Sequence, residues 1–328
     1  MNMRKLCLPI LALTVIATAC DGSDGTSYQN LADTNSDTSA GSDAGSGTDP
    51  DTGSDTGSDT GNDSGTDPDA ESDLGNDGGS ETGSAGCGGD PTGLAQSLQV
   101  GNQTRTFDLY IPADYDPVRA YPLIVGLHGG GGTGAGFQGF SGLDQAVGSD
   151  ALIVYPDGLP EFPGGDTVWM LDPAAEGFVF FDDLLELLTT NLCIDESRVF
   201  ATGWSMGGYM ANSLGCYRSD VFTAIAPVSG GPAGPKPPAP PYPDCTAELP
   251  AMIIHGAQDF VIPLSEAETM RDIFAENNGC GPTSSAVDPS PCVAYDDCTS
   301  PLHWCEFSGG HEWPSFAAAG VWAFFSAQ

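Results

Sequence analysis

The chain of 328 residues carries 45 acidic and 8 basic side chains, which gives a formal net charge of −37 at pH 7. So large an acidic excess argues against nucleic acid as a partner and against direct docking on anionic lipid, because both surfaces are negatively charged. The acidity indicates nothing specific about a substrate.

The N-terminal 20 residues are typical of an export signal with a lipid anchor. Arg4 and Lys5 supply its positive charge, residues 6–19 form an apolar stretch too short to span a bilayer, and Ala-Thr-Ala-Cys at 17–20 resembles a lipobox. Cys20 would then be the lipidated first residue of the mature protein. We therefore predict an exported protein attached to a membrane only through this anchor, at the cell surface or in the periplasm. Plain secretion is the alternative.

Residues 21–85 consist mainly of Gly, Ser, Asp and Thr. They include sixteen acidic residues, no Lys or Arg and almost no bulky apolar side chains, so they cannot bury a core. The composition predicts a disordered tether with an average reach of about 45 Å. The regular spacing of Asp could also suggest calcium sites, but the sequence frame of a calcium-binding loop is missing.

Residues 86–328 have the size of one α/β domain and leave no room for a separate binding module. Their most informative motif is Gly-Trp-Ser-Met-Gly at 203–207. An apolar run at 199–202 predicts a buried parallel strand before it, and residues 207–216 predict a helix after it. A Gly-x-Ser-x-Gly pentapeptide in this context is typical of the nucleophile elbow of a serine hydrolase, with Ser205 as the predicted nucleophile.

The partners of Ser205 follow in the chain order of an α/β-hydrolase, the acid first and then the histidine. Residues 250–256 predict a second buried strand, and Asp259 lies on the loop at its C-terminal end, where the acid is needed. His311 follows a short strand and a Gly-Gly pair, and it is the predicted base. His303 is the competing candidate, but it precedes that strand instead of following it.

The two other histidines come earlier in the chain. His128 lies in a Leu-His-Gly-Gly-Gly-Gly segment after an apolar strand, a position that fits an oxyanion loop better than a triad. His255 lies inside the strand before the acid and is interpreted as a structural histidine. Two backbone N–H groups are expected to bind the oxyanion, those of Met206 at the start of a helix and of Gly130, with Gly131 as the adjacent candidate.

Seven motifs in this order resemble those of the secreted feruloyl esterase and polyhydroxybutyrate depolymerase family, which is related to carbohydrate esterase family one. The motifs are Leu-His-Gly at 127–129, Arg-Val-Phe-Ala-Thr-Gly-Trp-Ser-Met-Gly-Gly-Tyr-Met at 198–210, Phe-Thr-Ala-Ile-Ala-Pro-Val-Ser-Gly at 222–230, His-Gly-Ala-Gln-Asp at 255–259, Asn-Asn-Gly-Cys at 277–280, Gly-His-Glu-Trp-Pro at 310–314 and Val-Trp-Ala-Phe-Phe at 321–325. Gly-Cys-Gly at 86–88 also resembles the start of type B feruloyl esterases.

The resemblance covers about residues 86–328. It implies an α/β-hydrolase with a mostly parallel central sheet, helices on both faces and a triad of Ser205, Asp259 and His311. This chain departs from the family at 177–180, where it has Gly-Phe-Val-Phe and relatives usually have Asp-Val-x-Phe.

The contact made by the missing Asp of that motif is therefore either absent or made by another carboxylate. Asp182 and Asp183, which follow the motif in the sequence, are the candidates. Details of the pocket depend on this difference.

Ten cysteines include Cys7 in the export signal and Cys20, so that eight remain in the domain. An even number in an exported protein favours disulfides. The strand that rises to the elbow and the helix that descends from it return Cys193 and Cys216 to the same end of the sheet, which predicts one pair.

The other six domain cysteines fall into two sets. One set is crowded into a single segment and is predicted to form two bridges; it consists of Cys280, Cys292, Cys298 and Cys305. Cys87 and Cys245 remain and form a possible pair. A zinc site made from the crowded cysteines with His303 and His311 is the alternative, but the oxidising compartment and the lack of Cys-x-x-Cys pairs argue against it. We expect no metal and no cofactor.

Substrate recognition is the least determined property. Trp169, Trp204 and Trp313 are candidates to line an aromatic-binding pocket, and each could equally belong to the core. The Pro-rich residues 231–244 follow a strand on the active-site side and form either a rim of the site or a rigid loop.

Three functions are compatible with the sequence. The first is an esterase for feruloyl or acetyl esters of plant cell-wall polysaccharide, and the second is a depolymerase for hydroxyalkanoate polyesters. A non-catalytic surface protein with a hydrolase fold is disfavoured, because the triad residues and the glycine loop are intact. We expect a monomer that acts on an ester substrate.

Overall fold

The computed structural model describes residues 83–234 and 244–328. The predicted export signal, Cys20, nearly all of the predicted tether and residues 235–243 of the Pro-rich segment lie outside the described residues. Within the described ranges, no helix is both long and apolar enough to cross a membrane. In the same ranges, no group of three or more His, Cys, Asp or Glu side chains is arranged to hold a metal ion.

A ten-stranded sheet forms the centre of the fold. Its strands are β1 (Ser97–Val100), β2 (Gln103–Tyr110), β3 (Tyr121–Leu127), β4 (Leu152–Pro156), β7 (Ile194–Trp204), β8 (Ala224–Val228), β9 (Ala251–Gly256), β10 (Ser284–Ala286), β11 (Val293–Tyr295) and β12 (Leu302–Phe307), and a separate hairpin pairs β5 (Leu159–Pro160) with β6 (Thr167–Val168). The order across the sheet is β1-β2-β4-β3-β7-β8-β9-β12-β11-β10. The six strands from β4 to β12 in this order pair in parallel, and the strands beyond them pair antiparallel.

Every residue of β3, β4, β8 and β9 is buried. Parallel strands need helices on both faces to bury such continuous apolar runs. The helices are α1 (Gly134–Ser141), α2 (Leu143–Val147), α3 (Glu176–Asn191), α4 (Met206–Tyr217), α5 (Leu264–Asn277) and α6 (Ala317–Ser326). Side chains of α3, α4 and α5 belong to one core cluster, and side chains of α1, α2 and α6 belong to a second. The predicted α/β-hydrolase class is confirmed.

The predicted site residues lie at the carboxyl ends of four parallel strands. The loop after β3 carries residues 128–132, and Ser205 directly follows β7. Asp259 lies on the loop after β9, and His311 lies on the loop after β12. Since the carboxyl ends of parallel strands meet at one edge of the sheet, residues 50 or more positions apart in the chain converge there.

The structure contains four disulfides between described cysteines, as the even count predicts. The crowded segment forms two bridges, Cys280–Cys298 and Cys292–Cys305. The predicted pairing of Cys193 with Cys216 and of Cys87 with Cys245 is wrong, because the observed pairs are Cys87–Cys193 and Cys216–Cys245.

The physical reason is the path of residues 83–89, which the strand and helix lengths do not reveal. Backbone hydrogen bonds join Ser84 to Ile194 and Gly86 to Thr189, so this segment runs along the end of α3 and the start of β7. Cys87 therefore lies next to Cys193 and pairs with it. Two cysteines at the same end of a sheet need not be neighbours, because four or more strands share that end.

Candidate active site

The nucleophile elbow forms around Ser205, whose backbone has φ 58° and ψ −119°. This conformation is unusual for a residue with a side chain, and it directs the hydroxyl out of the turn. The flanking glycines are needed for space: a Cβ on Gly207 would clash with the carbonyl oxygen of Leu127, and a Cβ on Gly203 would clash with Gly207. The Gly-x-Ser-x-Gly pattern thus follows from close backbone packing between β3, β7 and α4.

Ser205, His311 and Asp259 form a hydrogen-bonded chain. The distance from His311 Nε2 to Ser205 Oγ is 2.8 Å, and the distance from His311 Nδ1 to Asp259 Oδ2 is 2.7 Å. Because the ionised carboxylate only accepts hydrogen bonds, Nδ1 carries the proton and Nε2 presents its lone pair to the hydroxyl. The hydroxyl proton can therefore move to His311 without any rearrangement of side chains.

The carboxylate of Asp259 is held by its own loop. Its Oδ1 accepts hydrogen bonds from the backbone N–H groups of Val261 at 2.9 Å and Ile262 at 2.8 Å. Burial acts to raise the pKa of Asp259, but the hydrogen bonds from Ile262, His311 and Val261 together hold that pKa below its ordinary value. Asp259 therefore remains a carboxylate while it orients His311.

The other histidines lie where they cannot replace His311. His255 is fully buried, and its Nε2–H donates to the carbonyl of Ile262 at 3.0 Å while lying 3.5 Å from Asp259 Oδ2. His303 lies on β12 with its ring against Phe324, and burial lowers its pKa. His255 thus braces the loop of the acid, and His303 packs against the last helix.

The two residues expected to donate to the oxyanion, Met206 and Gly130, are near neighbours. Met206 is the first residue of α4, so helix geometry leaves its N–H without an intrahelical acceptor. A Cβ on Gly130 would lie 3.7 Å from the sulfur of Met206. The N–H of Gly131, the adjacent candidate, already donates to the carbonyl of Thr167 at 2.8 Å. Of the two glycines, Gly130 is the one whose N–H remains available.

Sequence reasoning missed how the oxyanion loop is held. His128 is buried, its Nε2 accepts from the N–H of Gly158 at 2.8 Å, and its Nδ1–H donates to the carbonyl of Gly129 at 2.7 Å. The indole N–H of Trp169 donates to the carbonyl of His128 at 2.8 Å. Burial lowers the pKa of His128, which keeps the ring neutral and suited to one donated and one accepted hydrogen bond. The Leu-His-Gly segment predicts the position of the loop, but it does not predict that residues 158–169 hold the loop by hydrogen bonds.

The three candidate tryptophans have different surroundings. Trp169 is 3% exposed, packs against Phe181 and lies too deep to offer a ring face to a substrate. Trp204 is half-buried, with its ring centroid 5.2 Å from that of His311. Trp313 is also half-buried and lies two residues after His311. Trp204 and Trp313 therefore remain candidates for substrate contact, and Trp169 does not.

The departure from the family motif falls beside the bracing segment. Gly177 lines a small cavity together with Arg105 and Met170, and a Cβ at 177 would come within 2.8 Å of Met170. Asp182, one of the two candidate replacements for the missing carboxylate, pairs with Arg218 at 3.0 Å. Arg105 is 4% exposed, and burial lowers its pKa to about 10 despite the attraction of Asp157.

Arg105 is linked to the oxyanion loop through the backbone. Its Nη2 donates to the carbonyl of Asp157 at 2.8 Å, and the next residue, Gly158, donates to His128. The guanidinium also stacks on Phe180, 3.7 Å from the ring centroid. The cationic side chain therefore contributes to the position of the segment that holds His128.

The sequence model of the Prolyl oligopeptidase family matches residues 179–231. This segment runs from α3 through the nucleophile elbow to the end of β8, so the match is to the central part of the fold that carries Ser205.

Two curated relatives match over most of their length. Feruloyl esterase C of Emericella nidulans is 33% identical over 261 residues, which cover 74% of this chain and 91% of that protein. Feruloyl esterase D of Neurospora crassa is 30% identical over 280 residues, with 74% and 90% covered. Among solved structures, the acetyl xylan esterase from Aspergillus awamori superposes with a TM-score of 0.58 at 16% identity, covering 71% of this chain and 99% of that one. This last likeness concerns the fold alone.

Proposed function

This chain belongs to the feruloyl esterase family, and from that premise we propose that Ser205, His311 and Asp259 hydrolyse feruloyl esters of plant cell-wall polysaccharide. The observation that carries the proposal is the chain of hydrogen bonds from Ser205 Oγ through His311 to Asp259. Carboxylic ester hydrolysis is the chemistry that this arrangement supports best, since a neutral imidazole and a fixed carboxylate activate a serine hydroxyl.

The first half of the reaction forms an acyl-enzyme. Ser205 Oγ attacks the carbonyl carbon of the ester, and its proton moves to His311 Nε2. The carbonyl oxygen becomes an oxyanion that accepts hydrogen bonds from the N–H groups of Met206 and Gly130. When the tetrahedral intermediate collapses, the bond to the alcohol oxygen breaks, and His311 returns the proton to that oxygen.

The second half releases the acid. A water molecule loses a proton to His311 Nε2 and attacks the acyl carbon, and the same N–H groups stabilise the new oxyanion. Collapse breaks the bond to Ser205 Oγ, which takes the proton back from His311. The products are ferulic acid and the free hydroxyl of the polysaccharide, and the enzyme is regenerated without a cofactor.

The experiment that tests the proposal is a comparison of kcat/KM on three ester classes. We expect kcat/KM to be higher for methyl ferulate than for p-nitrophenyl acetate. A 3-hydroxybutyrate oligomer is expected to have the lowest kcat/KM of the three. Stacking of a ferulate ring adds about 0.5 to 1.5 kcal/mol, or roughly two- to tenfold in specificity. Preference for the oligomer would favour a polyester depolymerase, and failure to cleave ferulate together with activity on acetyl esters would favour an acetyl esterase.

We also propose that the protein is an exported monomer anchored through Cys20. Four disulfides in the described part of the chain support export to an oxidising compartment. The anchor rests on the sequence of the N-terminus. Cys20→Ser is expected to move the esterase from the membrane fraction to the soluble fraction or to block processing, and an N-terminus mapped elsewhere would favour plain secretion. Size-exclusion chromatography tests the oligomeric state.

A further inference from the structure

A groove of about 460 Å³ lies beside the candidate active site, between α1–α2 and the start of α6. Phe140 and Trp313 are the aromatic residues that line it, and Gln145 and Ser315 add an amide and a hydroxyl group. None of the lining residues carries a formal charge, although the protein as a whole is strongly acidic. The groove therefore offers apolar faces and neutral hydrogen-bonding groups together, which suits a neutral ligand with many hydroxyl groups.

The groove is linked to the reacting centre by ring contacts. Phe140 is 52% exposed and meets Trp204 edge to face, with ring centroids 5.8 Å apart. Trp204 in turn lies 5.2 Å from the ring of His311. Phe140 on the groove is thus connected to His311 through a single aromatic ring, that of Trp204.

Trp313 is fixed so that its indole N–H is not offered to a ligand. Nε1 donates to the carbonyl of Ser141 at 2.9 Å, and the ring meets Phe137 edge to face at 5.1 Å. What remains available to the groove is apolar ring surface. The negative face of an aromatic ring attracts the partly positive C–H groups on the apolar face of a sugar ring.

We propose that this groove binds the carbohydrate portion of the substrate, on the alcohol side of the ester bond, with Phe140 and Gln145 as specificity-determining residues. The inference rests on the proposed function, because His311 must return its proton to the alcohol oxygen. That oxygen lies next to His311 Nε2 when the acyl-enzyme forms, so the sugar attached to it extends past His311 toward Trp204 and the groove. The groove therefore distinguishes a feruloylated polysaccharide from a simple ferulate ester.

The test compares kcat/KM for a feruloylated xylan oligosaccharide with kcat/KM for methyl ferulate, which has a single methyl group in place of the sugar. For the unmodified enzyme we expect the oligosaccharide to be the better substrate. Phe140→Ala and Gln145→Ala should each lower the ratio of the two values by about two- to tenfold, the range expected for one lost stacking or hydrogen-bond contact. Both side chains are exposed, so truncation leaves the core intact. Val118→Ala is the control, since Val118 is 65% exposed and lies on the loop between β2 and β3, outside the groove lining; its ratio should not change.

A second measurement needs no ester cleavage. The unesterified xylan oligosaccharide should inhibit methyl ferulate hydrolysis competitively, and Phe140→Ala should raise its inhibition constant. Unchanged ratios in both groove variants, or an equal fall in Val118→Ala, would overturn the groove assignment while methyl ferulate is still cleaved. If the unmodified enzyme does not cleave methyl ferulate, the proposed function itself fails. The two failures are therefore distinguishable.

Discussion

The acid–base half of the candidate site and the oxyanion half are held in different ways. Ser205, His311 and Asp259 are joined directly by side-chain hydrogen bonds. The predicted oxyanion loop at 128–132 instead depends on groups from another segment, residues 158–169. The residues that carry the chemistry and the residues that position them are therefore separate sets, and they leave different signals in the sequence.

Ser205→Ala tests the acid–base half with the largest expected effect. Removal of the hydroxyl abolishes acyl-enzyme formation, so kcat should fall by about 10⁵- to 10⁶-fold, the scale known for triad knockouts. The far-ultraviolet circular dichroism spectrum should not change, because alanine keeps the backbone of the elbow. A serine-directed phosphonate should label the unmodified enzyme at Ser205 and leave the variant unlabelled. A variant that keeps a tenth of the activity would remove Ser205 from the mechanism.

Asp259→Asn should lower kcat by about 10⁴-fold, because an amide in place of the carboxylate favours the wrong tautomer of His311. The loop hydrogen bonds from Val261 and Ile262 to an oxygen at this position can persist. The expected loss is therefore in kcat, with little change in KM. His303→Ala is the matched control for the choice of base and should retain activity. If His303→Ala abolished turnover and His311→Ala did not, the assignment of the base would be wrong.

Trp169→Phe tests the oxyanion half with a smaller effect. It removes the hydrogen bond to the carbonyl of His128 while keeping an aromatic ring in the core. Loss of one such hydrogen bond should lower the free energy of unfolding by about 0.5 to 1.5 kcal/mol. Because the N–H of Gly130 would be positioned less firmly, kcat should fall by roughly tenfold, which is less than the 10²- to 10³-fold loss expected when an oxyanion donor is removed outright.

Tyr121→Phe is the matched control for this prediction. It removes a partly buried hydrogen bond of nearly the same length, from the N–H of Asp116 to the hydroxyl of Tyr121 at 2.9 Å, at the start of β3 and therefore at the opposite end of that strand from the oxyanion loop. It should reduce the thermal midpoint to a similar extent without the fall in kcat on methyl ferulate. Equal losses of kcat in both variants would show that Trp169 acts through general stability and not through the oxyanion loop.

The same division explains what could be predicted from the sequence. Ser205, Asp259 and His311 each follow a strand at a recognisable spacing, because an α/β-hydrolase needs its chemistry at the carboxyl ends of parallel strands. The position of Trp169 in the core could not be predicted, since a tryptophan in a loop has no periodic pattern that distinguishes core from pocket. The partner of Cys193 could not be predicted either, because residues 83–89 lie along the end of α3 through backbone hydrogen bonds that no motif marks.

The two halves should also respond to pH in different ranges, which gives the smallest expected effect. Burial in the folded protein lowers the pKa of His128 from 6.5. At a pH between 6.5 and this lower folded-state pKa, the unfolded chain therefore binds a proton that the folded chain does not. The free energy of unfolding should therefore fall as the pH is lowered below 6.5, by at most about 1.4 kcal/mol per pH unit for one group. Asp259 behaves differently: its pKa is lowered from 3.8, so its contribution to stability is present above 3.8 and is lost as the pH falls through the lower folded value.

Urea denaturation of variants between about pH 2.5 and 8 separates these contributions, because the range covers both the His128 change below pH 6.5 and the Asp259 change below pH 3.8. His128→Gln should flatten the dependence below pH 6.5 and also lower kcat on methyl ferulate by about tenfold, because an amide reproduces the geometry of the two hydrogen bonds poorly. His303→Gln is the control: burial lowers the pKa of His303 as well, so this variant should flatten the same pH range without changing kcat. His128 and His303 are then both expected to contribute to acid sensitivity through burial. Only the His128 variant is expected to affect catalysis, because the His128 ring donates a hydrogen bond to the carbonyl of Gly129, next to the oxyanion donor Gly130. A His128→Gln variant with full activity would show that the backbone bonds of residues 129–132 suffice to hold Gly130 in place.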